Sequence, residues 1–198
     1  MVASGLQYRT EVSHVRLAVH LMAAMLIFSV LIWTALDLFA LARNPAARPA
    51  RLRALPALAL AVLAVQLVLG AFTAGLRAGY AYASWPKMGD EWFPSGAWQG
   101  GWSFAANLVD NPIVVQFVHR WWAWVAAAAV LLLARAANRT GTKGPTHAIA
   151  TFVALQILLG IATLMSGVAL PLAAAHQAVA ALLLASTVWA AHAVGRRA

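Results

Sequence analysis

Between Lys143 and Arg196 the chain carries no Asp, Glu, Lys or Arg. Residues 17–36 and 54–76 are equally free of charge, and between Asp110 and Arg135 the one charge is Arg120. A helix that crosses a bilayer needs about 20 mostly apolar residues. Each of the first three gaps fits one crossing. The last gap is 52 residues long and must fold back once. Its natural hairpin is Gly167-Val168-Ala169-Leu170-Pro171, since proline suits the first turn of a new helix. The charge gaps therefore predict five spans, near 14–40, 55–77, 112–135, 146–167 and 171–194. In water, five such helices in 198 residues would lack polar faces. With 63% apolar and 10% charged residues, the chain is neither an ordinary soluble domain nor disordered. The expected fold is an all-α integral membrane protein.

The net charge of +9 is the kind of excess that points to nucleic acid, but a mean hydropathy of +0.78 excludes that partner. The placement of the cations explains them better. Arg43, Arg48, Arg51, Arg53, Arg135, Arg139, Lys143, Arg196 and Arg197 all fall on one side of the predicted spans. Lys and Arg in short loops mark the cytoplasmic side. The opposite side carries Arg9, Arg16, Arg77 and Lys87 with four acidic residues, Glu11, Asp90, Glu91 and Asp110. This predicts a multi-pass protein of the bacterial inner membrane with an outer N-terminus and a cytoplasmic C-terminus. There is no cysteine, so disulfides, thiolate metal sites and covalent c-type heme attachment are excluded.

The organisation expected is an outer segment 1–13, a first membrane helix over 14–42, and a four-helix bundle over 54–197. Residues 1–13 do not read as a signal peptide. An outer start without a signal predicts a fragment whose earlier spans are missing. Within the bundle, the outer loop 78–111 contains Trp85, Trp92, Trp98, Trp102, Tyr80 and Tyr82. Such rings favour the headgroup level, and loops this long are often functional. The loop is read as an interfacial lid or as a cover over a site near the outer surface.

Two spans that run in the same direction share a pattern, Gln66-x3-Gly70-x2-Thr73 and Gln156-x3-Gly160-x2-Thr163. Another pair shares His20, Ala24, Leu26 and Trp33 with His176, Ala180, Leu182 and Trp189 at equal offsets. Matches between same-direction helices predict parallel repeats about an axis along the membrane normal. Gly70 and Gly160 would permit close helix approach.

His14, His147 and His192 stand near span ends, where a wet imidazole costs little. His20, His119 and His176 lie about 10, 12 and 8 Å inside the outer ends of their spans, at about 1.5 Å per residue. Ionisable groups at such depth are candidates for function. Two neutral imidazoles on facing helices can take both axial positions of a heme iron. Zinc needs three or four donors, and these spans offer no carboxylate at that depth. The alternative is that each histidine hydrogen-bonds to a neighbouring helix. Arg120 directly follows His119. Its partner is a heme propionate in one reading and the lipid headgroups, by snorkelling, in the other.

These residues resemble a known family. Asn111-Pro112-Ile113-Val114-Val115-Gln116-Phe117-Val118-His119-Arg120 is similar to the VQFxHR motif of heme A synthases. Trp85-Pro86-Lys87-Met88-Gly89-Asp90-Glu91-Trp92-Phe93-Pro94 resembles the family's outer loop, and residues 70–79 the segment before it. Leu170–Gln177 resembles its last histidine helix, and Arg16–Leu21 the helix that closes its first half. The resemblance covers nearly the whole chain and is nearest to the cysteine-free alphaproteobacterial and mitochondrial branch.

The resemblance implies an eight-span protein in two four-helix halves. The second half holds heme b, at positions that match His119 and His176, with Arg120 beside it. The first half oxidises the ring methyl of heme O to a formyl group, giving heme A for cytochrome oxidase. A substrate-heme ligand of that half matches His20. The other first-half histidine, a neighbouring glutamate and three spans have no counterpart here, and residues 1–6 resemble the end of the third span. Catalytic residues are not identified. The resemblance thus implies the C-terminal portion of an oxidoreductase, with heme O as substrate, an unassigned electron donor, and the missing half or further copies of the chain as partners. Two rival readings are a bis-histidine b-type electron carrier and a heme-free membrane assembly subunit.

Overall fold

In a computed structural model, residues 13–196 are described; the predicted segment 1–13 falls, except for Ser13, outside them. The elements are α1 (His14–Arg43), α2 (Ala54–Gly75), a short 3-10 turn (Ala78–Tyr80), α3 (Phe104–Asp110), α4 (Pro112–Arg139), α5 (Lys143–Met165) and α6 (Leu170–Gly195). Five of these helices, α1, α2, α4, α5 and α6, are long and apolar enough to cross a membrane. Their 22 to 30 residues give lengths of about 33–45 Å against a hydrocarbon core of about 30 Å. The chain is an all-α, multi-pass integral membrane protein.

Local chemistry sets the helix ends. Ser13 accepts from the Arg16 amide at 3.4 Å and starts α1. Asn111 accepts from the Ile113 and Val114 amides at 3.1 and 3.3 Å, and Pro112 follows at the first helical position, where its missing N–H costs nothing. Several helices outrun their apolar stretches. The last turns of α1 and α4 carry Arg43 and Arg139, cations that a helix C-terminus favours.

The helices pack as two antiparallel hairpins, α2 with α4 and α5 with α6, while α1 lies against α2 and α6. The end of the bundle that carries the basic connections is closely packed, and its core reaches the cavity at Leu63 and Val153. Its core comprises Leu63, Val130, Leu133, Ile149, Val153, Leu184 and Val188, interleaved with Ala59, Ala134, Ala137, Ala190 and Ala191. The alanines let backbones approach, which is how helices associate where lipid gives no hydrophobic drive. Toward the loop-bearing end the core opens into a cavity.

Two of the histidines expected to be wet at helix ends lie beside carboxylates, and one of them is hydrogen-bonded. His192 is buried, with Nε2 2.9 Å from Asp37 Oδ1 on α1 and Trp33 edge-on at 5.2 Å between ring centroids. Asp37 Oδ1 also accepts from the Ala50 amide at 3.0 Å. This pair pins the basic end of α1 to α6. A polar group near the end of a span is cheap only while it reaches water; once α1 covers it, it needs a partner. His14 is half-buried against Phe72, with Nε2 3.1 Å from Asp110 Oδ1 but out of line for a hydrogen bond. His147 is exposed, as expected.

Candidate functional site

The cavity measures about 960 Å³, near the upper end of the roughly 300–1,000 Å³ usual for ligand pockets. Residues from all five long helices line it, with Leu21, Gln66, His119, Gln156, His176 and Arg120 among them. His119 on α4 and His176 on α6 are thus brought to one chamber.

Each imidazole meets the same pair of residues on its hairpin partner. Gln66 Nε2 lies 3.2 Å from His119 Nδ1 and donates to the His119 carbonyl at 3.2 Å. Gln156 Nε2 lies 3.3 Å from His176 Nε2. A methyl group at Gly70 would sit 3.2 Å from His119 Cε1, and one at Gly160 would sit 3.0 Å from His176 Cε1. The glycines are the floor on which the rings rest. The repeated Gln-x3-Gly spacing is therefore a repeated imidazole seat, one per hairpin.

Each seat leaves polar capacity unused. His176 Nδ1 is buried without a partner, as are Gln66 Oε1 and Gln156 Oε1. Turning either amide end for end would place its oxygen on a ring N–H and free the other ring nitrogen's lone pair. At Gln66 this would give up the bond to the His119 carbonyl. A neutral imidazole with one nitrogen oriented by a neighbour and the other free is the form that ligates metals. Among the described residues no three His, Asp or Glu side chains converge as a cage for a bare metal ion.

Arg120 is buried, not extended toward headgroups. Its two terminal nitrogens donate to the carbonyls of Tyr82 at 2.9 Å, Ser84 at 2.9 Å and Lys87 at 3.3 Å. Gln116 Nε2 adds a bond to the Tyr82 carbonyl at 3.0 Å. The first part of the loop is thereby clamped over the cavity, and Tyr80 and Trp85 line its outer end. Trp92, Trp98 and Trp102 remain exposed, as headgroup anchors should be. The loop is a cover with an aromatic rim. Arg120 Nε is buried and unpartnered.

His20 is elsewhere. Leu21 lines the cavity, and His20, one residue earlier and about 100° round the helix, is exposed on α1. The pattern it shares with His176 carries no shared surroundings in this chain. Sequence reasoning missed the roles of Gln66 and Gln156. Their repeat was visible, but repeated spacing does not say which histidine a residue faces.

Comparison with known proteins adds the family. The family model for a cytochrome oxidase assembly protein matches residues 1–188. The chain is 65% identical over 192 residues to a heme A synthase of Rhizorhabdus wittichii, covering 97% of this chain and 55% of that protein. It is 52% identical over 198 residues to that of Sphingopyxis alaskensis, covering 100% and 55%. It is 46% identical over 196 residues to that of Erythrobacter litoralis, covering 98% and 57%. No solved structure matches. The chain spans about half the length of the curated relatives it matches. With the matched segment running from the first helix through the two histidine seats, the chain belongs to the cytochrome oxidase assembly protein family.

Proposed function

We propose that this chain is a heme-binding portion of a heme A synthase and holds heme b between His119 and His176. One observation carries the reading: two imidazoles, each beside a glutamine and seated on a glycine, line one covered cavity, and His176 Nδ1 is buried without a partner. The donor set fits the group. Axial ligation takes up a buried nitrogen that is otherwise unpaired, and two ligands suffice because the porphyrin supplies the other four. When bound, the heme supplies one-electron chemistry.

The chain's own residues do the rest. Gln66 and Gln156 fix ring orientation, Gly70 and Gly160 leave room for the rings, and the inner core of α2, α4, α5 and α6 makes the seats rigid. Arg120 and Gln116 hold the loop, and with it Trp85, over the chamber. A cover that excludes water strengthens electrostatic interactions at the site. His20, on the open face of α1, is the candidate ligand for a second heme, heme O, whose methyl group the complete enzyme oxidises to the formyl group of heme A. In this division α1 belongs to a first unit and residues 54–197 form the second. The clustering of Lys and Arg at the basic end supports an inner-membrane protein with that end cytoplasmic.

Purified chain supplied with heme should show a low-spin, bis-histidine spectrum. His119→Ala or His176→Ala should abolish it. A correctly folded, colourless protein in excess heme overturns the reading. Extraction of heme A from cells fed heme O separates an oxidising unit from a plain b-type electron carrier.

A further inference from the structure

At the outer rim of the cavity stands a cation that no loop carbonyl occupies. Arg77 follows Leu76, the C-cap of α2, with φ 52° and ψ 30°. Side chains other than glycine and asparagine rarely adopt this left-handed conformation. α5 ends in the same way: Ser166 is its C-cap and Gly167 follows at φ 66°. With Gln66 set on Gln156 and Thr73 on Thr163, Arg77 falls on Gly167. At the aligned position one copy of the repeat has glycine and the other arginine, and in the α5 copy Val168 follows, also at positive φ, 63°.

Strained residues of this kind gather at ligand sites. Arg77 lines the cavity with Arg120, Tyr80 and Trp85. Among the described residues no hydrogen bond or ion pair holds its side chain. The terminal nitrogens of Arg120, by contrast, are committed to Tyr82, Ser84 and Lys87. The two arginines therefore divide the work. Arg120 positions the loop and keeps only its buried Nε unpartnered, and the exposed Arg77 is the cation whose terminal nitrogens are left for a ligand.

We propose that Arg77 is a specificity-determining residue of this pocket, whose guanidinium receives a carboxylate at the outer edge of the bound porphyrin. The inference rests on the heme reading above. A lipid phosphate offers similar oxyanion chemistry at this depth, so the test must separate the two sources.

Heme b and its dimethyl ester, which lacks free carboxylates, are titrated into the full chain in neutral detergent, and the low-spin band is followed. The wild type is compared with Arg77→Gly and with Arg77→Asn, which also tolerates the turn. Heme-free thermal melts are recorded in parallel. Both variants should melt at or above the wild type, because the strained turn is relieved. Both should bind heme about tenfold more weakly, as loss of a charge-assisted contact implies, and bind the ester as the wild type does. Equal affinity of variant and wild type for heme overturns the proposal, as does an equal loss for heme and ester. A deficit that tracks added anionic phospholipid instead of esterification assigns Arg77 to lipid and also overturns it. Absence of the low-spin band in every protein, wild type included, defeats the heme reading itself.

Discussion

Gly70 and Gly160 matter for what they lack. An added methyl would press on the His119 or His176 ring at 3.2 or 3.0 Å, closer than ordinary contact. Each ring is also tied to a glutamine, so it cannot swing away freely. Gly70→Ala and Gly160→Ala should each weaken heme binding by about tenfold, toward the lower end of the ~1–3 kcal/mol usual for overpacking. The helix itself should gain from alanine, by about 1 kcal/mol at most. Heme titration beside a thermal melt checks both signs. The sequence showed these glycines as a spacing and suggested close helix approach. That the approach is made by an imidazole depends on the rotation of α4 and α6.

At the scale of elements, α1 is held differently from the other long helices. Ala18 is its one buried residue, and Val19, Leu26, Ile27, Val30, Leu31, Leu38 and Phe39 are all exposed. Its grip at the basic end is the Asp37–His192 pair. His192→Leu removes one partner and leaves a carboxylate beside apolar surface. This should cost about 1–3 kcal/mol and free the basic end of α1, seen as faster amide exchange across 36–50. The heme spectrum should be unchanged, because His119 and His176 lie on helices whose core does not use that pair. Spectral loss on this substitution would mean that α1 shapes the cavity more than its packing suggests. The five spans were legible from charge gaps alone, because each helix must satisfy the same hydrocarbon thickness. The Asp37–His192 pair was not. The two residues are 155 positions apart, and nothing local to either announces the other.

For the whole molecule, orientation and the separateness of His20 can both be tested. The chain has no cysteine, so single introduced thiols report position without background. Gly100 has open space around its Cβ direction, and Ala47 lies in the basic connection after α1. Gly100→Cys should label with a membrane-impermeant maleimide in intact spheroplasts, and Ala47→Cys should label only after the membrane is opened. The reverse pattern would invert the topology. His20→Ala should leave the bis-histidine spectrum of this chain intact, since His20 stands outside the cavity. Loss of the band would place His20 at the heme b iron and displace His119 or His176 from that role.

The linear order of charge and hydropathy marked the five described helices that are long and apolar enough to cross a membrane, and which end gathers the cations. Those are properties of segments measured against lipid and water, and each can be read without its neighbours. Which way each helix turns was decided only in three dimensions. Helices that are apolar on every side give no stripe to mark an inward face, because lipid accepts any apolar surface as readily as protein does. His20 and His176 share a sequence pattern, yet one looks outward from α1 and the other into the cavity. Packing of small residues and pairing of buried polar groups set those rotations, and they brought two of three histidines to one cavity.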